Sequence, residues 1–302
     1  MRNVTVAATQ MACTHNSEEN IDKAVGLIKA AKQKGANIIL IQEMFASLYF
    51  PCINDPENFN LAMPYKNNPI LKKMAEIAKE LDVVLPVSFF EKDNNTYYNS
   101  LAVIDADGSI MDLYRKSHIP DGPGYEEKYY FHPGNTGFKV WDTKFGRIGV
   151  GICWDQWYPE AARIMTLMGA EMIFYPTAIG SEPDPEADSR DSWQIVMQGH
   201  AAANSIPIIA SNRIGIEKNK KFSMSFYGSS FIANECGEKV EECSRDQQEI
   251  IVHEFDLDSV SLYRSSWGFF RDRRTDLYEN IFMDYRSWRI RKTQTHWLDQ
   301  PP

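Results

Sequence analysis

The chain has 302 residues, of which 43% are hydrophobic and 24% charged, a composition that supports a large core and excludes a disordered or low-complexity protein. The formal net charge of −9 argues against a nucleic-acid partner, because phosphate binding requires a clustered positive surface. Five irregularly spaced cysteines and a start without a signal peptide predict a reduced, cytoplasmic protein, and no apolar stretch is long enough to span a membrane.

The first half of the chain predicts a β-α-β unit followed by a second helix, a strand and a hairpin. Ser17 is the expected N-cap of the first helix and Gly35 follows its last turn, while Asn68 and Pro69 begin the second helix. The predicted elements are a strand at 4–9, a helix at 17–34, a strand at 37–41, a helix at 69–81, a strand at 83–90 and hairpin strands at 99–104 and 109–114.

The second half repeats the same alternation. We predict a strand at 147–152, a helix at 159–168, a strand at 171–175, a helix at 189–204 and a strand at 207–211. The strands 227–233 and 250–255 are expected to form a closing hairpin through the turn 234–237, followed by a helix from about 257. Such alternation favours a layered α/β domain with reactive groups at the carboxyl ends of strands.

Three chemically complementary side chains follow predicted strands. Cys153 lies between a short apolar strand and a helix start, where backbone N–H groups can lower a thiol pKa and hold an oxyanion. Glu43 and Lys116 follow two other strands and supply a general base and a compensating positive charge. Singly, the two charged residues read as ordinary loop residues and the cysteine as inert core; together they predict covalent catalysis at a carbonyl carbon.

Three separated segments, 39–45, 114–120 and 151–160, resemble the nitrilase superfamily of carbon–nitrogen hydrolases, and the resemblance extends over nearly the whole chain. It implies an α/β fold, the four-layer α-β-β-α sandwich. It further implies that Glu43 is the general base, Lys116 the oxyanion-stabilising lysine and Cys153 the nucleophile. The backbone N–H of Trp154 is then the second oxyanion donor.

The resemblance also implies an additional catalytic carboxylate near this triad. Glu127 matches it, although the neighbouring Glu126 leaves the assignment open by one residue. No cofactor is implied. A metal site is not expected either, because the six histidines are dispersed and neither Cys-x-x-Cys nor His-Glu-x-x-His occurs.

Residues 153–160 and 119–125 are similar to the N-carbamoylputrescine amidase branch of the superfamily. In this chain a Trp-Asp pair follows the cysteine, whereas true nitrilases usually carry Trp-Glu and ω-amidases Tyr-Asp. The implied reaction is hydrolysis of N-carbamoylputrescine to putrescine, ammonia and carbon dioxide through a cysteine thioester, a step of polyamine biosynthesis. The alternatives are another carbamoyl amidase of the β-ureidopropionase type, an aliphatic ω-amidase, or a non-enzymatic ligand-binding protein on this fold.

The implied substrate carries a distal ammonium, which acidic groups would bind. Residues 181–188 hold four carboxylates and no basic residue, so we expect Glu182 to contact this ammonium; a solvated acidic loop is the alternative. Tyr49 and Trp154 are candidate walls for the tetramethylene chain, although aromatic residues more often pack in cores.

The expected organisation is a single hydrolase domain at 1–283 and a C-terminal extension at 284–302. This extension is aromatic yet charged and has too few apolar residues for a core of its own, so we expect it to pack on a neighbouring subunit. The resemblance implies a homo-oligomer, a dimer or larger.

Overall fold

The computed structural model describes residues 1–183, 186–218 and 223–283, with the backbone alone at 182–183 and 186–187. The strands are β1 (Asn3–Gln10), β2 (Ile38–Leu40), β3 (Leu85–Asp93), β4 (Thr96–Ile104), β5 (Ile110–Arg115), β6 (Val140–Thr143), β7 (Gly146–Val150), β8 (Met172–Pro176), β9 (Gly180–Pro183), β10 (Glu186–Ala187), β11 (Ile208–Ser211), β12 (Ile214–Lys218), β13 (Ser223–Tyr227), β14 (Phe231–Ala233), β15 (Lys239–Glu242) and β16 (Glu249–Asp256). The α-helices are α1 (Ser17–Gln33), α2 (Pro69–Leu81), α3 (Glu127–Tyr130), α4 (Pro159–Leu167), α5 (Arg190–Asn204) and α6 (Leu257–Trp267).

Two large sheets form the centre of the fold. One contains the strand orders β16-β1-β2 and β3-β4-β5, which a parallel bridge between Ile38 and Val84 connects. The other has the order β15-β14-β11-β8-β7-β6. Strands β9, β10, β12 and β13 make a separate small sheet in the order β10-β9-β13-β12.

The four-layer α-β-β-α sandwich is confirmed, and side-chain alternation along the strands explains it. Val6 of β1 and Ile209 of β11 belong to one hydrophobic cluster that fills the space between the sheets. Ala7 instead packs with α1 and α2, and Ile208 packs with α4 and α5. Because successive residues of a strand point to opposite faces, each sheet buries one face on the other sheet and one face on helices.

Two local predictions are wrong. The N-cap of α1 is Asn16, whose side chain accepts the N–H groups of Glu18 and Glu19, and not Ser17. The predicted closing hairpin does not form, because the run 227–233 is broken at Gly228 and Ser229, which have φ values of 53° and 57°. Strand β14 pairs with β15 across the predicted turn, and β16 pairs along its whole length with β1.

The chain divides into two units, of which the first is Met1–Arg264 and the second begins at Ser265 and is described as far as residue 283. The predicted extension 284–302 lies outside the described residues, so its packing stays a prediction. Among the helices of the described part, none is both long and apolar enough to cross a membrane.

Candidate active site

A sharp turn after β7 presents Cys153. The residue has a φ of 44° and begins the short 3-10 helix Cys153–Trp157. A positive φ is strained for a residue with a side chain and persists only where the surroundings enforce it. Gly151 contributes to this turn, because a Cβ at that position would lie 2.9 Å from the ring of Tyr175. The strand-to-helix junction predicted for the cysteine is therefore a tight elbow.

The carboxylate of Asp155 ties this elbow to the segment that carries Lys116. It accepts the backbone N–H of Ile152 at 2.9 Å and the hydroxyl of Tyr114 at 2.7 Å. It also accepts the backbone N–H of His118 at 3.0 Å and contacts Nδ1 of that ring at 2.7 Å. Tyr114 and His118 stand two residues before and after Lys116, so one buried side chain joins two of the chain segments predicted to form the site.

Lys116 is the centre of a completely buried charge cluster. Its Nζ lies 3.0 Å from Oε1 of Glu43, and 2.7 and 3.0 Å from the two oxygens of Glu127. All three side chains have no exposed surface. Glu127, the first residue of α3, is thus the carboxylate in the cluster, whereas Glu126 is only partly buried and lies outside it. The structure brings together the two acids and the lysine that the sequence predicted.

Two residues outside the predicted set, Asn99 and Arg213, and the predicted substrate contact Tyr49 hold these carboxylates in place. Asn99 of β4 donates its amide to Glu43 Oε1 at 2.7 Å, and the hydroxyl of Tyr49 donates to Glu127 Oε1 at 2.6 Å. The guanidinium of Arg213 donates to the main-chain carbonyl of Glu43 at 2.8 Å and fixes the turn after β2. Each carboxylate is therefore held by a lysine and by a neutral donor.

The buried charges determine the resting protonation state of the site. Burial raises the pKa of the Cys153 thiol well above its ordinary value; the negative charge of Glu43 adds to this, and Lys116 only partly offsets it. The expectation that the elbow lowers this pKa is therefore wrong, because burial and a neighbouring carboxylate outweigh the local N–H groups. The thiol is protonated at rest and requires a base to become a nucleophile.

The pKa values of Lys116 and Glu127 both move upwards. Burial lowers the pKa of Lys116, but the charges of Glu127 and Glu43 raise it by more, so the ammonium stays protonated. Burial raises the pKa of Glu127 to about 7, against the opposing effect of Lys116. The two directions agree physically, because two buried carboxylates share one ammonium and the cluster therefore tends to retain an additional proton.

The two aromatic residues predicted to contact the substrate differ in how far they are buried. Tyr49 is buried, and its ring packs edge-on against Tyr125 and Phe226, with centroids 5.9 Å apart in each pair. Trp154 is partly exposed, with its ring 6.0 Å from that of Trp157. The side chain of Glu182 lies outside the described residues, so its contact with an ammonium stays a prediction.

A cleft of about 540 Å³ adjoins the charge cluster at Tyr49, which lines the cleft and bonds to Glu127. The charged residues that line it are Asp55, Glu217 and Lys218. Arg213 is not part of this lining; it is completely buried and paired with Glu217 at 2.7 Å. In the described part of the chain, no group of three His, Cys, Asp or Glu residues is arranged to hold a metal ion.

The sequence interpretation missed the side chains that orient the cluster. Asn99 and Ser100 form a polar pair within the apolar strand β4, a signal that could have marked a buried polar contact. Asp155 stands two residues after the cysteine, but only the fold shows that it bonds to the Lys116 segment. No sequence pattern around Arg213 indicated that it contacts the Glu43 segment.

Comparison with known proteins gives one family. The carbon–nitrogen hydrolase family matches residues 5–265. The tomato (Solanum lycopersicum) protein named N-carbamoylputrescine amidase is 57% identical over 92% of this chain and 94% of its own length. A Francisella tularensis protein named citrullinase is 52% identical over 94% of this chain and 100% of its own.

A solved structure gives the same result. The crystal structure of a carbon–nitrogen hydrolase from Helicobacter pylori has a TM-score of 0.89 and 37% identity, and the match covers 94% of this chain and 99% of that one. The chain therefore belongs to the carbon–nitrogen hydrolases of the nitrilase superfamily.

Proposed function

We propose that this protein is an amidase that hydrolyses N-carbamoylputrescine to putrescine, ammonia and carbon dioxide. The observation that carries the proposal is the buried cluster of Glu43, Lys116 and Glu127 beside a cysteine at a strained elbow. The name of the tomato relative, whose sequence is 57% identical, supports the substrate.

In the first step, the Cys153 thiol transfers its proton to Glu43 and its sulfur attacks the carbamoyl carbon. The raised pKa of the thiol requires such a base. Lys116 and the backbone N–H of Trp154 stabilise the tetrahedral oxyanion. Glu43 then protonates the departing nitrogen, ammonia leaves, and a carbamoyl thioester remains on Cys153.

In the second step, Glu43 takes a proton from water, and the resulting hydroxide attacks the thioester carbon. The carbon–sulfur bond breaks, Cys153 recovers its proton from Glu43, and the released carbamate decomposes to putrescine and carbon dioxide. Glu127 does not exchange protons with substrate in this scheme. It binds the Lys116 ammonium through both oxygens and so fixes the position of the oxyanion donor.

The distal ammonium of the substrate distinguishes this reaction from that of other amidases. We propose that Glu182 binds it, and that Tyr49 and Trp154 flank the tetramethylene chain. Asp55 also lines the cleft and can contribute a second acidic group to a cationic ligand.

Hydrolysis of citrulline is the second candidate, because the Francisella relative is named citrullinase and matches over its whole length. Citrulline is N-carbamoylputrescine with an additional carboxylate on the carbon that bears the amino group. Recognition of this carboxylate calls for an available cation. Arg213 is buried and paired with Glu217, but Lys218 lines the cleft and is such a cation. We therefore favour the simple amine on the higher identity of the tomato relative, 57% against 52%.

Ammonia release from N-carbamoylputrescine, citrulline, N-carbamoyl-β-alanine and a neutral ω-amide tests the substrate assignment. We expect the largest kcat/KM for N-carbamoylputrescine; preference for citrulline selects the second candidate, and no release from any of the four overturns the enzyme assignment. Glu182→Gln should raise KM for the cationic substrate more than for the neutral amide. Cys153→Ala should abolish turnover without loss of the fold, and residual activity near the wild-type level contradicts the nucleophile.

We further propose that the protein acts in the cytoplasm, in polyamine biosynthesis, as a homo-oligomer. In this proposal, residues 1–283 form the catalytic domain, and the extension 284–302 packs on a neighbouring subunit. Light scattering of the full chain and of a chain ending at residue 283 tests this. Removal of the extension should change the number of subunits in the oligomer if the extension packs on a neighbouring subunit, and an unchanged number contradicts the proposal.

A further inference from the structure

The two oxygens of the Glu43 carboxylate have different surroundings. Oε1 accepts hydrogen bonds from Lys116 Nζ at 3.0 Å and from Asn99 Nδ2 at 2.7 Å. Oε2 is buried and receives no hydrogen bond from any residue that the structure describes. Both oxygens of Glu127 accept from Lys116. Oε2 of Glu43 is thus the carboxylate oxygen of the cluster that is left to accept a proton.

Asn99 contacts two of the catalytic segments at once. It is 1% exposed, lies in β4, and its main-chain carbonyl accepts the N–H of Lys116 at 2.9 Å. Its side-chain amide holds Glu43. A single residue of β4, which pairs with both β3 and β5, therefore sets the position of the lysine backbone and the orientation of the glutamate carboxylate.

The orientation of a glutamate carboxylate is otherwise weakly constrained. Its terminal torsion is broad and roughly two-fold, so the two oxygens can exchange positions. Lys116 cannot prevent this alone, because its ammonium is shared among three carboxylate oxygens. A second donor at Oε1 is needed to keep Oε2 available to the thiol.

We propose that Asn99 is a positioning residue that occupies Oε1 of Glu43 and thereby keeps Oε2 as the proton acceptor for Cys153. This inference rests on the proposed roles of Glu43 and Cys153. An asparagine suits the position because its amide donates a hydrogen bond without adding charge. An aspartate there would place a third carboxylate in the cluster, and a leucine would fill the volume without a donor.

The first test compares Asn99→Leu with Asn204→Leu. Asn204 is a matched control: it is 2% exposed, its amide donates to the His200 carbonyl at 2.8 Å, and its Oδ1 has no partner among the described residues. We expect Asn99→Leu to lower kcat about 10- to 100-fold, part of the 10²–10⁴ that a general base contributes, with KM within about twofold. The control should keep kcat.

Alkylation of Cys153 by iodoacetamide, followed by peptide mass spectrometry, provides a readout that does not depend on the natural substrate. We expect the rate at Cys153 to fall in Asn99→Leu and to stay unchanged in Asn204→Leu. This pattern supports the inference even where N-carbamoylputrescine is not hydrolysed, so failure of the substrate assignment is distinguished from failure of the positioning role. Equal rates in wild type and Asn99→Leu overturn the inference.

Asn99→Asp provides a second test that remains available if the leucine variant does not fold. A protonated carboxyl can donate to Oε1, whereas an ionised one repels Glu43. The activity of this variant relative to wild type should therefore fall as pH rises, and so should its relative rate of alkylation. The other titratable groups that face Glu43 are Lys116, Glu127, Cys153, Tyr49 and Arg213; they are the same in both proteins. A ratio of variant to wild type that rises with pH overturns the proposal.

Discussion

Tyr49→Phe tests the electrostatics of the cluster with the loss of a single oxygen atom. The hydroxyl of Tyr49 donates to Glu127 at 2.6 Å, and both side chains are buried. The phenylalanine ring retains the edge contacts with Tyr125 and Phe226. The substitution therefore removes one hydrogen bond to a carboxylate and leaves no donor unpaired.

The expected loss of stability depends on pH. A hydrogen bond to a charged group contributes about 1.5–3 kcal/mol, and this bond favours the ionised form of Glu127. Because the folded-state pKa of Glu127, about 7, lies above its ordinary value of 4.5, its protonation stabilises the fold at low pH, and this contribution is lost as pH rises through about 7. Removal of the bond raises this pKa further, so the destabilisation should be small at low pH and should approach its full size once Glu127 is ionised.

Urea unfolding below pH 6 and above pH 8 measures this difference. Tyr130→Phe is the control for the pH dependence, because Tyr130 is also buried but its hydroxyl bonds to uncharged groups: it donates to the Ile53 carbonyl at 2.6 Å and accepts from the N–H of Asp55 and the amide of Asn58. We expect the control to lose similar stability at both pH values and Tyr49→Phe to lose more at the higher one. Equal losses at the two pH values in Tyr49→Phe would refute the raised pKa of Glu127 as the explanation.

Two further substitutions test the surrounding network. Asp155→Asn replaces one acceptor oxygen by a donor and leaves the N–H of Ile152 or of His118 unsatisfied. We expect the free energy of unfolding in urea to fall by about 1–3 kcal/mol and kcat to decrease. Full activity would contradict the role of Asp155 in joining the two segments. Arg115→Met leaves the buried carboxylate of Glu91 without its cation; Glu91 is 2% exposed and bonded to Arg115 at 2.7 Å. We expect the free energy of unfolding to fall by about 3–5 kcal/mol, and the additional change Glu91→Gln should recover most of this loss.

The sequence was informative wherever a short segment determines its own structure. Hydrophobic periodicity and turn residues predicted the alternating strands and helices. The apolar strand and the proline after it placed Cys153 at a junction, which the structure shows as the turn between β7 and the 3-10 helix Cys153–Trp157. The motifs around Glu43 and Lys116 indicated the superfamily, and the match over residues 5–265 confirms it.

Only the tertiary structure decided which segments meet. Strand β16 is an edge strand that pairs with β1, near the other end of the chain. Side chains of both strands pack in the same hydrophobic cluster, and no local pattern encodes this pairing. From the sequence, Tyr49 was a candidate wall of the substrate site and Asn99 was not singled out; only the fold shows that they donate to Glu127 and Glu43. The sequence by itself predicted Cys153 as the nucleophile, whereas the protonation state of its thiol follows from burial and from charges that distant segments bring beside it.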